Sequence, residues 1–405
     1  MRSVHDHLAA VLDAARPVPP LDVVLSDAAG CILAEDVTAP YDVPPWAVAD
    51  CDGYAVRSED VGLRGPAPVG EVVLPVVHDA PVSSTEPLRL VGGSAILVAS
   101  GAPLPHGADA VVPVERTDRG RARVAVRGGA DPGEHVRPVG RDAAAGDRLL
   151  AEGSRVGARH LAVAAALGRG RLRVHPAPRV VVVSVGDELV LPGRPRTDGG
   201  VHDADAHALA AAIQDTGATA VRVGPVPDDR AGLREIIADQ LVRADLLVIT
   251  GGLSAGPWDT VTDVLAPLGT VRFDHVAMAP GARQGFGTVD GIPVFALPGH
   301  PVSAQVAYEV FVRPALRTMG GHADIFRPSL RAAATRPWAS PSGVRQFVPA
   351  RVLGSPTDGY TVSPVGDPSQ VALSSLAGAN ALAVVGEDTT QVRAGDTLAC
   401  LVLES

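Results

Sequence analysis

The chain has 405 residues, more than one domain of ordinary size holds, so several folded units are expected. Its 44 glycines and 36 prolines follow no collagen-like period, and with 46% hydrophobic residues they describe a folded, loop-rich protein. A net charge of -10 disfavours a nucleic-acid backbone binder and leaves any anion pocket to backbone amides and scattered arginines.

Three cysteines, Cys31, Cys51 and Cys400, form neither a disulfide framework nor a metal-ligand spacing, so the cytoplasm is the expected compartment. The first twenty residues lack the continuous apolar run of a secretory signal, and no apolar run reaches the roughly 18 residues of a membrane span. The spacing of Val4, Leu8, Val11, Leu12 and Ala15 predicts a helix ended by Pro17, Pro19 and Pro20. Residues 21–39 read as strand, turn at Gly30 and strand. From 40 to 147, short Val-rich runs at 71–77, 94–99, 110–115 and 121–126, broken by Gly and Pro, predict an inserted β-rich module. A helix is predicted at 159–167. The unbroken apolar run 179–184 suits a central parallel strand covered on both faces. It is followed by helix 205–215, strand 219–223, helix 230–243, strand 245–250, helix 260–267, strand 293–297 and a helix from 302 to 319, which predicts a doubly wound α/β sheet. Segments at 342–352, 359–364, 381–385 and 396–403 read as a small C-terminal β-barrel or sandwich.

In a parallel α/β sheet the ligand crevice lies beyond the C-terminal strand ends. Three glycine-bearing loops fall there: Ser184 to Glu188, Thr250 to Gly256, and Pro298 to Ser303. Such loops turn tightly and aim amides at an anion, with Thr250, Ser254 and Ser303 adding hydroxyls, so a phosphate or pterin pocket is expected. Carboxylates stand beside them: Asp187, Glu188, Asp203, Asp228 and Asp259. Carboxylates facing a phosphate repel it unless a divalent cation intervenes, which points to Mg²⁺ with Glu188 and Asp259 as its ligands. Helix capping or plain solvation is the competing role for these acids. Neither a Walker-type loop nor a dinucleotide fingerprint is present, so an ordinary ATPase or NAD site is excluded. His5, His7, His202 and His207 show no metal-binding arrangement, while Trp46, Tyr54 and Trp258 suit packing at a loop or interface better than pterin stacking.

The segments PPWAVADCDGYAVR (44–57), SGAPLPHGADAVVPVE (100–115), SVGDELV, TGGLSAGPWD and LPGHPVSAQVAYEVFVRPAL (297–316) occur in one collinear order. Together they resemble the molybdopterin molybdenumtransferases, which carry out the last step of molybdenum cofactor synthesis. The resemblance spans practically the whole chain. It implies an elongated subunit of four parts: a discontinuous scaffold domain (1–40 and 141–177), an inserted β-rich domain (41–140), a molybdopterin-binding α/β domain (178–325) and a C-terminal β domain (326–405). The implied reaction releases AMP from adenylylated molybdopterin and transfers molybdate to the dithiolene sulfurs, with Mg²⁺ assisting. Carried over position by position, the family's acidic residues match Asp52, Asp142, Glu188, Asp228 and Asp259; its threonine matches Ser100; and Arg345 matches an arginine near the opening of the C-terminal domain. Substrate-binding positions implied with them are Thr250, Gly251, Gly252, Ser254, Gly256, His275, Arg283, Pro298, Gly299 and Ser303. A homodimer is implied, with Asp52 and Ser100 facing the partner subunit's α/β domain, as are contacts with the upstream adenylyltransferase and with molybdoenzyme maturation proteins. Neither a nucleic acid nor a membrane is an expected partner.

Departures from the family pattern are concentrated. Ala47, Val48 and Ala49 replace a polar group before Asp52, Pro257 replaces an acidic residue, and His300 replaces an asparagine. The family's K-x-A-x-K-P-G-K-P stretch reads HVAMAPGAR here, so three lysines become His275, Ala279 and Ala282, with Arg283 one position beyond. Three readings stay open: an active transferase, a divergent relative acting on another molybdopterin- or nucleotide-linked substrate such as a repurposed hydrolase, and a noncatalytic scaffold.

Overall fold

The computed structural model describes residues 1–63, 70–84, 87–196, 198–253 and 259–403. The chain folds as two compact units, Met1–Glu35 with Glu152–Leu161 and Gly170–Ser405, and Asp36–Ala151 with Ala162–Arg169.

The larger unit is organised on a six-stranded sheet in the order Thr219–Val226, Arg179–Val185, Leu246–Gly251, Ile292–Leu297, Arg283–Val289, Val271–His275. The first four strands run parallel and the last two pair antiparallel. The valine run lies at its centre because both of its faces are covered. Val180 and Val182 pack with Leu209, Ile213 and Phe311, while Val181 and Val183 pack with Leu233, Ile237 and Val261. Helix Asp205–Asp215 turns Ala206, Leu209, Ala210 and Ile213 inward, the i, i+3, i+4, i+7 stripe of an amphipathic helix. Helix Arg230–Leu241 is started by Asp229, whose carboxylate accepts the Gly232 N–H at 2.7 Å.

Two features depart from the sequence expectation. The antiparallel pair at one end of the sheet extends a sheet read as doubly wound, and it turns at Asp290-Gly291, both with positive φ (51° and 81°), between Val289 and Ile292. An Asp-Gly pair is a strong two-residue hairpin signal, because it accepts the left-handed backbone that a tight turn needs. The helix expected over 302–319 is instead α-helical at Pro301–Ala307, π-helical at Tyr308–Val312 and α-helical again at Arg313–Met319. Pro314 has no N–H to give to the carbonyl four residues earlier, and the wide turn ends just before it.

Toward the C-terminus of the same unit, strands Arg345–Ser355, Gly359–Pro364, Ser329–Ala334, Thr397–Val402 and Ala381–Val385 pair in sequence, and the last returns to the first, closing a barrel. Closure removes free sheet edges, and Ala350, Val362, Ala383 and Cys400 fill the interior at 0% exposure. Met278–Ala279 adds a short strand parallel to Arg345–Gln346.

The smaller unit carries a five-stranded sheet ordered Ala110–Pro113, Gly53–Val56, Ala95–Val98, Val72–Ala80, Arg123–Val126. Tyr54 is buried in it and spends its hydroxyl on the Gly120 carbonyl at 3.1 Å, a packing role. The architecture is thus α/β plus β-rich, with a closed, barrel-like C-terminal sheet.

Candidate functional site

The three glycine-bearing loops leave neighbouring strands of the large sheet. Ser184 is paired with Thr250, and Thr250 with Leu297, so the loops start level with one another. Glycine at 251 is dictated by close approach. Its φ is +81°, and a Cβ there would lie 2.2 Å from the Val185 carbonyl oxygen, while one on Gly299 would meet Gly251 Cα at 3.0 Å. The loops therefore touch backbone to backbone, and a side chain at either position would part them.

Beside them lies a cavity of about 510 Å³, a size that suits a small-molecule ligand. Its polar lining includes Ser184, Glu188, Asp203, Asp205, Thr250 and His300, together with Arg196 and His202. Glu188 is exposed, and its carboxylate folds over Gly186, where a Cβ would sit 2.6 Å from Oε2. The Thr250 hydroxyl donates to Asp205 Oδ2 at 2.6 Å and lies 3.3 Å from the Pro298 carbonyl, so it is engaged by protein groups. Asp203 accepts the Ser184 hydroxyl at 2.6 Å and the Ala206 N–H at 3.1 Å. Burial pushes the Asp205 carboxyl up to about 6, and the neighbouring Asp203 charge adds to the rise, against the lowering by the Thr250 hydrogen bond. His300 Nδ1 accepts the Val302 N–H at 3.3 Å at the start of the following helix, where Ser303 is buried.

Asp187 and Asp228 hold each other's loops: the Asp228 N–H donates to Asp187 at 3.0 Å and the Asp187 N–H to Asp228 at 3.3 Å. Asp228 Oδ1 is buried without a hydrogen-bond partner. Asp259 takes the capping role. Its Oδ1 accepts the Thr262 N–H at 3.0 Å, its Oδ2 pairs with Arg283, and the residue is 6% exposed. With both oxygens engaged, Asp259 is poorly placed as a cation ligand, and Arg283 spends its charge on Asp259. Among the described residues no three His, Cys, Asp or Glu side chains converge as a metal site. Glu188, on the cavity wall, and Asp228, with one carboxylate oxygen free of hydrogen bonds, each have acceptor capacity that Mg²⁺ would use together with water and phosphate oxygens. Ser254, Gly256 and Trp258 lie outside the described residues.

Segment 275–283 is fixed from two sides. The Arg2 N–H donates to the His275 carbonyl at 2.9 Å, the Ala277 N–H to the Arg2 carbonyl at 2.8 Å, and the Arg345 N–H to the Ala277 carbonyl at 2.9 Å. His275 is exposed, and Ala279 helps line a second cavity, of about 370 Å³, with Pro280, Val302 and Phe347. The Arg345 guanidinium meets Glu387 at 3.0 Å. His7, on the N-terminal helix, is buried against Phe311 with ring centroids 4.7 Å apart. Burial, helped by the Arg2 charge and opposed by Asp274, lowers its pKa to about 4.

In the smaller unit Asp52 accepts the Ser100 N–H at 2.7 Å, and the Ser100 hydroxyl lies 3.3 Å from the Asp50 carbonyl. Asp142 is 3.6 Å from Arg137, which also approaches Asp50 at 3.5 Å. The sequence reading missed Arg137 and Asp205, since each gains its partners only through strand pairing or helix placement.

Family profiles match residues 2–168 (MoeA N-terminal region, domains I and II), 181–318 (probable molybdopterin binding domain) and 331–403 (MoeA C-terminal region, domain IV). The chain is 42% identical over 404 residues to molybdopterin molybdenumtransferase 2 of Mycobacterium tuberculosis, covering 98% of each chain. The chain belongs to the molybdopterin molybdenumtransferase family. Molybdopterin molybdenumtransferase 1 of the same organism is 38% identical over 415 residues, with 98% of this chain and 97% of the relative covered. The structure of the molybdopterin biosynthesis moeA protein from Pyrococcus horikoshii matches with a TM-score of 0.86 at 29% identity, covering 100% of this chain and 99% of that one. The family's α/β and β-rich architecture is therefore present throughout, and His275, Ala279 and Ala282 lie on a segment whose backbone is held in place.

Proposed function

We propose that this family member is a working transferase that inserts molybdate into adenylylated molybdopterin and releases AMP, with Mg²⁺ assisting. The observation that carries the reading is the level start of three loops around the cavity of about 510 Å³, with Gly251 and Gly299 in backbone contact. In this reading the loop amides orient the nucleotide and phosphates, and the pterin enters the cavity. Glu188 and Asp228 would hold Mg²⁺, whose chemistry there is to neutralise pyrophosphate charge. Asp259 acts at one remove, fixing Arg283 and the start of helix Thr260–Leu265. With Arg283 paired to Asp259 and Arg345 to Glu387, the molybdate end relies mainly on the exposed His275, so its hold on the oxyanion is weak.

A cytoplasmic homodimer is part of the proposal, with Asp52, Ser100 and Asp142 completing the partner's site. The four-part domain division and the upstream adenylyltransferase and maturation partners belong to it as well. The decisive assay mixes the protein, adenylylated molybdopterin and Mg²⁺ with rising molybdate and follows AMP and finished cofactor together. Saturable production of both is expected, alongside a sedimentation mass of a dimer. The uncharged Ala279 and Ala282 and the committed Arg283 favour the second reading, a binding scaffold or repurposed hydrolase. Ligand binding with neither product would establish the scaffold, and AMP release indifferent to molybdate the hydrolase.

A further inference from the structure

Asp205 stands apart from the other polar groups around the larger loop cavity. It opens helix Asp205–Asp215, is 6% exposed, and lines the cavity. One carboxylate oxygen is satisfied by the Thr250 hydroxyl at 2.6 Å; the other, Oδ1, is buried with no hydrogen-bond partner. Asp203, two residues earlier, shows what a purely structural carboxylate looks like in the same turn, since both of its oxygens accept hydrogen bonds from the protein. A buried acceptor left empty costs free energy, so such an atom on a cavity-lining residue calls for a donor from whatever enters.

The chemistry of that donor is narrow. Phosphate and molybdate present acceptor oxygens and negative charge, which Asp203 and Asp205 repel. No third ligand converges on the pair among the described residues, as a protein-built cation site would need. A heterocyclic edge carrying N–H groups is neutral, flat and a donor. We infer that Asp205 Oδ1 accepts a hydrogen bond from an amino or lactam N–H of a 2-aminopyrimidinone-type heterocycle, making Asp205 a specificity residue for the pterin end of the ligand. The inference rests on the proposed reading that a pterin enters this cavity. It adds a residue that neither the motifs nor the family matches single out.

The ionised carboxylate is the better acceptor, so binding should weaken as acid protonates it. Because burial places the Asp205 pKa near 6, affinity for a pterin should fall about tenfold from pH 7 to pH 5. Glu188, Arg196, His202, Asp203 and His300 also line the cavity. Asp205→Asn separates their titration from that of Asp205. The carboxamide keeps an acceptor oxygen for the ligand and turns its NH₂ to Thr250, whose hydroxyl then donates to the Pro298 carbonyl.

The experiment is calorimetric titration of the intact protein with 6-hydroxymethylpterin and, separately, with adenylylated molybdopterin and Mg²⁺, using wild type, Asp205→Asn and Asp205→Ala with matched thermal melts. The expected result is pterin binding that drops at least tenfold in Asp205→Ala, stays within a few-fold in Asp205→Asn and loses its pH slope in Asp205→Asn. Equal affinity in Asp205→Ala, or a slope that persists in Asp205→Asn, overturns the inference. Binding of adenylylated molybdopterin that is indifferent to Asp205 variants overturns it while leaving the proposed function standing. A pterin contribution that appears only with Mg²⁺ assigns Asp205 to a cation and likewise overturns it. Absence of binding by either ligand removes both readings.

Discussion

The loop edge of the large sheet and the segment 275–283 differ in how they are specified. At the loop edge the backbone decides: Gly251 has no room for a side chain, and the strands that launch the loops are paired in register. Over 275–283 the backbone is tied to Arg2 and Arg345, yet the side chains at 275, 279 and 282 contribute little to that hold. A site built from close-packed backbone tolerates no substitution, whereas a site built from side-chain charge can lose its charge and keep its fold. In the proposed reading, that contrast explains how one chain can keep its glycine loops while the side chains at its anion end change.

The contrast predicts unequal responses to mutation. Gly251→Val forces a side chain against the Val185 carbonyl in a left-handed conformation, and should cost about 4 kcal/mol. Denaturant titration measures it, and a variant as stable as wild type would break the comparison at its strongest point. Asp259→Ala should cost about 3 kcal/mol, since it removes a helix cap and leaves the Arg283 charge without its partner. Asp259→Asn should recover the cap but not the ion pair, so a loss intermediate between wild type and Asp259→Ala is expected in the same titration.

Acid should separate the N-terminal helix from the loop edge by sign. His7 has a folded pKa of about 4, below its unfolded value of 6.5, so its neutral form stabilises the fold above 6.5 and that contribution is lost as pH falls toward 4. The loss is at most about 3 to 4 kcal/mol, and His7→Phe should abolish it. Asp205 behaves oppositely. Its folded pKa of about 6 lies above the unfolded 3.8, so its contribution is present in acid and lost as pH rises through 6. Hydrogen exchange between pH 7 and 5 should therefore show the N-terminal helix loosening while the first turn of helix Asp205–Asp215 tightens; the same trend in both would contradict the assignment. The smallest effect is expected at Ala279→Lys, which adds a cation at a half-buried cavity wall. Apparent molybdate affinity should tighten about tenfold, or about 1.4 kcal/mol, with little change in thermal stability. Unchanged affinity would show that the anion is held elsewhere.

The parallel strands and their helices were legible because long apolar runs and i, i+3, i+4 stripes report burial directly. The motif spacing also placed the three loops at one sheet edge. Less was legible where the partner is remote. Arg283 is 24 residues from Asp259 in sequence, so its apparent availability as an anion ligand was visible while its ion pair was not. Asp205 carried no motif, and only strand pairing brings Thr250 to it across 45 residues. The Asp290-Gly291 hairpin, by contrast, was readable from its turn residues and was overlooked amid glycine-rich sequence.

The double mooring of segment 275–283 has an evolutionary consequence. Because Arg2 holds one side and Arg345 the other through main-chain hydrogen bonds, residues at 275, 279 and 282 can be exchanged without displacing the chain that carries them. Such a segment works like a fixed mount with interchangeable fittings. If this segment is the anion end of the proposed site, a lineage can test new oxyanion preferences there one side chain at a time, while the cost of each trial falls on affinity and leaves folding almost untouched.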